Sequence, residues 1–117
     1  MTAPGASTAG GGFVPVVGPA AADVVEGQVM LARHTNGTAL CVGRLDGKLF
    51  AVKDSCPHSE FPLSEGTLYA NGELECCWHG ARFDCRSGRV LRGPAEDDLV
   101  KFEVEEREGR IWVRRAR

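Results

Sequence analysis

Two short segments of the chain concentrate side chains that bind soft metals. The first holds Cys56 and His58, and the second holds Cys76 and His79; we call residues 56–61 the first box and residues 76–81 the second box. The chain has only three histidines, and two of them lie in these boxes. Two thiolates and two imidazoles suit tetrahedral zinc and also an iron–sulfur centre.

The order of the ligands separates these two kinds of metal site. Common zinc modules place Cys with Cys and His with His, whereas each box here contains one residue of each type. A mixed order suits a binuclear cluster in which one iron takes both cysteines and the other takes both histidines. A zinc-stabilised interaction module stays open as an alternative at this point.

The residues around the ligands extend the pattern. The stretches CPHSEFPLSEG and CCWHGARFDCRSGRV resemble the two cluster-binding motifs of Rieske proteins, C-x-H and C-x-x-H-G-x-x-F. Gly93 to Ala95 resembles the proline loop that covers the cluster in that family, and the resemblance extends over residues 13–113. It implies an all-β, antiparallel Rieske-like sandwich with a small cluster-binding subdomain. It also implies one [2Fe–2S] cluster per chain, held by Cys56, His58, Cys76 and His79.

The departures from the family pattern narrow the function. High-potential respiratory members carry an extra cysteine in each box, and the matching positions here are Phe61 and Trp78. Cys77 stands one position before Trp78, so it does not match the extra cysteine, and we assign it no ligand role. His34 is the only other histidine, so the chain cannot supply the 2-His-1-carboxylate iron site of an oxygenase.

The resemblance therefore implies a stand-alone ferredoxin rather than an enzyme. Such a protein carries one electron from a flavin-dependent NAD(P)H reductase to a terminal oxygenase. The alternative is a small Rieske subunit of a larger oxidoreductase, such as an assimilatory nitrite reductase. Stable co-purification with a partner distinguishes the subunit from the free carrier.

The resemblance also sets expectations for potential and docking. In high-potential members, hydroxyl groups near the second box donate hydrogen bonds to sulfur, whereas the matching positions here, Ala81 and Phe83, carry no donor. We therefore predict a potential in the lower part of the roughly −150 to +300 mV Rieske range. An apolar docking patch for redox partners is expected at the cluster tip, formed by Phe61, Pro62, Trp78 and Pro94.

The surrounding sequence must supply strands that position the boxes. Short β-prone runs alternate with two-residue turn signals, which are typical of antiparallel hairpins. These signals stand at Asn36-Gly37, Asp46-Gly47, Asn71-Gly72, Ser87-Gly88 and Glu108-Gly109. The run FVPVV from Phe13 predicts an edge strand, where Pro15 is tolerated. We predict a flexible tail over residues 1–12 and one domain over residues 13–117, with both boxes in loops.

Composition excludes several other functions. The net charge of −2, without a basic stripe, argues against nucleic-acid binding, and no apolar run is long enough for a membrane span. Five cysteines make a poor disulfide framework, and the start of the chain lacks the features of a signal peptide. We expect a cytoplasmic, monomeric protein in which Cys41 and Cys85 are buried as small apolar residues.

Overall fold

The computed structural model describes residues 12–57, 59–78 and 80–116. The predicted all-β, antiparallel fold is confirmed, because every strand pair in the two sheets of the described chain is antiparallel. Most of the predicted tail, residues 1–11, and the last residue of the predicted domain, Arg117, lie outside the described residues.

The larger sheet has six strands in the described part of the chain. They are β1 (Val14–Pro15), β2 (Val29–Arg33), β3 (Ala39–Leu45), β4 (Lys48–Lys53), β9 (Lys101–Arg107) and β10 (Arg110–Arg115). Their order across the sheet is β1-β10-β9-β4-β3-β2. The predicted FVPVV strand is therefore an edge strand, and Pro15 occupies a position where its missing N–H is tolerated.

The smaller sheet carries the two boxes at its loops. Its strands, in sheet order, are β5 (Thr67–Leu68), β6 (Glu73–Glu75), β7 (Arg82–Asp84) and β8 (Val90–Arg92). The first box lies between β4 and β5, and the second box lies between β6 and β7. Two short 3-10 helices, Ala21–Asp23 and Leu63–Glu65, complete the described elements, and no described helix is long and apolar enough to cross a membrane.

Each of the five predicted turn signals joins two successive strands that pair with each other. In two of these turns both central residues have positive φ, as a type I′ turn requires. The φ values are 54° and 78° at Asp46-Gly47, and 51° and 78° at Glu108-Gly109. Local turn chemistry thus fixes the register of two hairpins of the larger sheet.

The core beneath the smaller sheet contains four of the five cysteines: Cys41, Cys56, Cys76 and Cys85. The burial predicted for Cys41 and Cys85 is confirmed, because both are fully buried. Burial raises the pKa of the Cys85 thiol to about 11, and burial also raises the pKa of Cys41, helped by the nearby Asp54 and Cys85. Both thiols therefore stay protonated at neutral pH and pack as apolar side chains.

A close backbone approach connects the segment after the first box to the strand before the second. A Cβ atom on Gly66 would overlap the carbonyl oxygen of Glu75, which is the last residue of β6. The φ of Gly66 is −86°, so space rather than backbone conformation requires glycine here. Glu75 directly precedes Cys76, so this contact sets the distance between the two box segments.

We predict that Gly66→Ala destabilises the fold strongly, because the new methyl group forces two backbone segments apart. The free energy of unfolding is expected to fall by about 3 kcal/mol, the upper part of the range for overpacking. The measurement is urea unfolding of the cluster-loaded protein. Gly27→Ala is the control: nothing lies within 4 Å of the added Cβ, so only the cost of its positive φ remains, about 1 kcal/mol. Equal losses in the two variants would contradict the steric account.

Glu60 is a second backbone feature of the box region. Its φ is 64°, in the left-handed region that favours glycine, although it is not part of a two-residue hairpin turn.

We predict that Glu60→Gly stabilises the protein by about 0.5–1 kcal/mol, the difference between the relieved left-handed strain and the added freedom of the unfolded chain. Thermal unfolding of the loaded protein measures this change. The matched control is Glu96→Gly, which also removes an exposed acidic side chain but has no positive φ to relieve. Glu96→Gly should therefore lower stability, and a similar loss in Glu60→Gly would show that the backbone is not strained there.

Candidate metal centre

The first box is a loop whose two ends are tied together. The N–H of Cys56 donates to the carbonyl oxygen of Phe61 at 3.0 Å, and the N–H of Glu60 donates to the carbonyl oxygen of Cys56 at 2.7 Å. The left-handed backbone at Glu60 lets the chain return to Cys56 within these six residues. The loop thus holds the Cys56 backbone in a fixed place at the end of the core.

The second box closes in the same way. The N–H of Cys76 donates to the carbonyl oxygen of Ala81 at 2.9 Å, again five residues further along the chain. The residue before the closing one, Gly80, has a φ of 72°, which corresponds to the left-handed Glu60 in the first box. Two loops of the same length and closure therefore present Cys56 and Cys76 at their first positions.

The two cysteine side chains meet in the interior. Cys56 is fully buried and Cys76 is 2% exposed, and the two thiols lie within hydrogen-bonding reach of each other. Burial raises the pKa of the Cys76 thiol above its ordinary value, while hydrogen bonds from the Trp78 N–H and the Ser59 hydroxyl oppose this shift. Two soft sulfur donors thus converge at one buried place, which fits the cysteine half of a metal centre.

The other two predicted ligands, His58 and His79, lie outside the described residues. Each belongs to one of the two closed loops by sequence. The described residues include no group of three or more His, Cys, Asp or Glu side chains that could hold a metal ion. The four-residue ligand set therefore stays a prediction, of which the structure brings the two cysteines together.

Asp54 anchors the first box to the larger sheet. It follows β4, and its N–H donates to the carbonyl oxygen of Ala39 at 2.9 Å. Its buried carboxylate accepts the N–H of Ser64 at 2.6 Å and the hydroxyl of Ser64 at 2.7 Å. The 3-10 helix after the first box is thereby held against the end of a central strand.

A polar network supports the second box on the smaller sheet. The hydroxyl of Tyr69 donates to Glu75 at 2.5 Å, and the guanidinium of Arg82 lies 4.2 Å from the centre of the Tyr69 ring. Arg82 also donates to Glu73 at 2.9 Å. These contacts join β6 to β7 on both sides of the second box, so they limit the movement of its two ends.

Two aromatic side chains from different boxes stack at the surface. The ring centres of Phe61 and Trp78 are 4.9 Å apart, with the ring planes inclined by 33°. Phe61 is 39% exposed and Trp78 is 47% exposed, and Pro94 is exposed as well. Three of the four residues of the predicted patch are thus exposed, and the fourth, Pro62, is half-buried. Cys77, next to Trp78 in the chain, carries an exposed thiol.

The sulfur of Cys76 is also within hydrogen-bonding reach of a backbone N–H and a hydroxyl group, in addition to the Cys56 thiol. The N–H of Trp78, in the second box, donates to it at 3.4 Å. The hydroxyl of Ser59, in the first box, lies 3.6 Å from the same sulfur. Ser59 was not predicted as a donor, because the family pattern indicates hydroxyl donors only at the positions of Ala81 and Phe83. The spacing of residues along the chain does not indicate which residues of two different loops come into contact.

Comparisons with known proteins agree with this geometry. Residues 14–103 match the Rieske [2Fe-2S] domain. The chain is 37% identical, over 91 residues, to the ferredoxin component of the p-cumate 2,3-dioxygenase system of Pseudomonas putida; the match covers 78% of this chain and 77% of that relative.

Solved structures extend the similarity to three dimensions. A chain in a complex of reduced oxygenase and oxidised ferredoxin from carbazole 1,9a-dioxygenase aligns with a TM-score of 0.76 and 33% identity, covering 86% of this chain and 91% of that chain. The ferredoxin of carbazole 1,9a-dioxygenase from Nocardioides aromaticivorans IC177 aligns with a TM-score of 0.79 at 24% identity, covering 90% and 99%, and supports the fold. The domain match, the two tied cysteine loops and these relatives lead to one conclusion: the chain belongs to the Rieske [2Fe–2S] family, whose cofactor is a Rieske-type [2Fe–2S] cluster.

Proposed function

We propose that this protein is the ferredoxin component of a ring-hydroxylating oxygenase system. It would carry one electron at a time from a flavin-dependent NAD(P)H reductase to a terminal oxygenase. The observation that carries the proposal is the convergence of two buried cysteines from two tied loops, in a chain whose relatives are named as ferredoxin components of dioxygenase systems. These names favour the ferredoxin over the nitrite reductase subunit.

The proposed ligands are Cys56, His58, Cys76 and His79. The buried thiols of Cys56 and Cys76 are soft donors that fit iron, and each occupies the first position of a box that also contains a histidine. When bound, the [2Fe–2S] cluster accepts and releases one electron. The protein holds the sulfur atoms of Cys56 and Cys76 in fixed positions, buries them and donates hydrogen bonds to Cys76.

The aromatic pair Phe61 and Trp78 is the proposed contact surface for redox partners. Electron-transfer encounters bury little surface, typically under about 1,200 Å², so a few apolar side chains can dominate them. Each box supplies one ring of the pair. Trp78 directly precedes His79, and Phe61 lies three residues after His58. A partner that contacts both rings therefore contacts both box segments.

We further propose that the protein is a cytoplasmic monomer and that residues 13–117 form one Rieske domain. The odd number of cysteines makes a poor disulfide framework, which suits a reducing compartment. Both core clusters lie within this single pair of sheets, which supports one domain. Sedimentation of the purified chain tests the monomer, because a stable dimer would appear at twice the mass.

We predict that Cys76→Ser abolishes cluster binding, because the substitution removes a soft thiolate ligand. The measurements are iron and sulfide content per chain, together with visible absorption before and after dithionite. The neighbouring Cys77→Ser is the matched control and should keep the full cluster, since Cys77 is exposed. His58→Ala and His79→Ala should lose the cluster like Cys76→Ser. Retention of a complete cluster in Cys76→Ser, or firmly bound zinc in place of iron, would disprove the ligand assignment.

We predict that Trp78→Ala slows electron transfer to an oxygenase about tenfold, the effect of losing about 1.4 kcal/mol at an interface hot spot. The oxygenase of carbazole 1,9a-dioxygenase is a suitable acceptor, because a ferredoxin similar to this chain binds it in a solved complex. Stopped-flow oxidation of the reduced protein measures the second-order rate constant. Leu31→Ala is the control: Leu31 is 48% exposed, like Trp78, but lies on β2 of the larger sheet. Equal rate constants for the two variants would remove Trp78 from the docking surface.

A further inference from the structure

Ser59 connects the two boxes through the sulfur of Cys76. Its hydroxyl oxygen lies 3.6 Å from the Cys76 Sγ, within the range of a hydrogen bond to sulfur. We propose that the Ser59 hydroxyl donates a hydrogen bond to the Cys76 sulfur and raises the reduction potential of the protein. Ser59 is thus a positioning residue from the first box that acts on a ligand of the second, and the inference rests on the proposed function.

The direction of this hydrogen bond follows from the other partner of Ser59. The N–H of Phe61 points to the Ser59 hydroxyl oxygen at 3.4 Å, so that oxygen acts as the acceptor towards the backbone. The hydroxyl proton is then available for the sulfur. A cysteine that binds iron is a thiolate without a proton, so it can only accept. The hydroxyl must therefore be the donor when metal is bound.

The surroundings strengthen the effect of this donor. Cys76 is almost fully buried and Ser59 is half-buried, so little water competes for the sulfur. Hydrogen bonds to ionised acceptors are stronger than neutral ones, and more so where the local dielectric is low. The Trp78 N–H, which belongs to the second box, donates to the same sulfur at 3.4 Å. Cys76 thus receives one donor from each box.

The sign of the effect on the potential follows from charge. Reduction would add one electron, supplied by a flavin reductase or by dithionite, and would make the centre that Cys76 helps to hold more negative as a whole. A fixed donor stabilises the more negative form more, so it favours reduction. No covalent bond forms or breaks at Cys76, and the proton remains on the Ser59 oxygen. Removing the hydroxyl should therefore lower the potential.

This donor comes from a place that the Rieske pattern did not indicate. Hydroxyl donors were sought at Ala81 and Phe83, and both of these side chains are fully buried and apolar. Ser59 reaches the sulfur from the opposite loop instead. The chain still lacks a hydroxyl at the two sought positions, so the prediction of a lower-range potential stands, with Ser59 raising the value within that range.

The test must separate the bond to sulfur from the bond to the Phe61 N–H. Ser59→Ala removes both, and Ser59→Thr keeps a hydroxyl at the same position. Ser87→Ala is the matched control, because the Ser87 hydroxyl also accepts an N–H two residues further on, from Arg89 at 3.2 Å, on an exposed turn. Ser87→Ala therefore reports what the loss of such a local turn contact does by itself.

The experiment is a redox titration of the cluster-loaded proteins followed by EPR, with iron content measured for each. We expect Ser59→Ala to weaken electron affinity about tenfold, which lowers the midpoint potential by about 59 mV for one electron. The midpoint potential of Ser59→Thr should lie close to that of the unsubstituted protein, and the midpoint potential of Ser87→Ala should equal it. A fully loaded Ser59→Ala protein with an unchanged midpoint would overturn the inference.

A second measurement covers the case in which Ser59→Ala loads poorly. The reduced, unsubstituted protein exchanged into D₂O should show a coupled exchangeable deuteron in electron–nuclear double resonance, in addition to the backbone deuterons. Ser59→Thr should keep this signal and the loaded fraction of Ser59→Ala should lose it; an identical deuteron spectrum in all three proteins would overturn the inference. By contrast, an unsubstituted protein without a [2Fe–2S] spectrum would contradict the proposed function itself.

Discussion

The closure of the two box loops is the constraint on which the centre depends. In each loop the N–H of the cysteine donates to the carbonyl oxygen five residues later, at 3.0 Å in the first box and 2.9 Å in the second. These bonds fix the backbone from which each sulfur projects. Without them a buried pair of thiols would be two mobile side chains rather than a prepared half of a ligand set. Each closure also requires a left-handed residue just before the closing one, which Glu60 and Gly80 supply.

The relative position of the two loops depends on contacts outside them. Asp54 holds Ser64 against the end of β4, and Gly66 packs its backbone against Glu75 directly before the second box. A short chain of contacts thus runs from the central strand of the larger sheet to Cys76. The two sheets thus support the loops, and the contacts between them fix the position of one box relative to the other.

Much of this architecture could be predicted from sequence because its causes are local. Asp46-Gly47 and Glu108-Gly109 form two-residue turns through their left-handed backbone, and the alternating strands then define the antiparallel sheets. The cysteine and histidine spacing identified the boxes for the same reason, since each box is one continuous loop. The resemblance already implied that Phe61 and Trp78 share one patch, but their ring contact and the contact of Ser59 with Cys76 were not predictable from spacing. They join residues of separate loops, whose meeting depends on the packing of the two sheets rather than on spacing along the chain.

The tied loops have a consequence for the speed of a carrier that must gain and lose the same electron. A group that reorients when the charge changes adds a reorganisation cost in both directions. The donors to Cys76 are a backbone N–H in a closed loop and a hydroxyl whose oxygen is held by the Phe61 N–H. Because they are already oriented before the electron arrives, the protein has little to rearrange when it leaves. A stiff loop therefore serves reduction and oxidation equally, because neither direction of electron transfer requires the loop to rearrange.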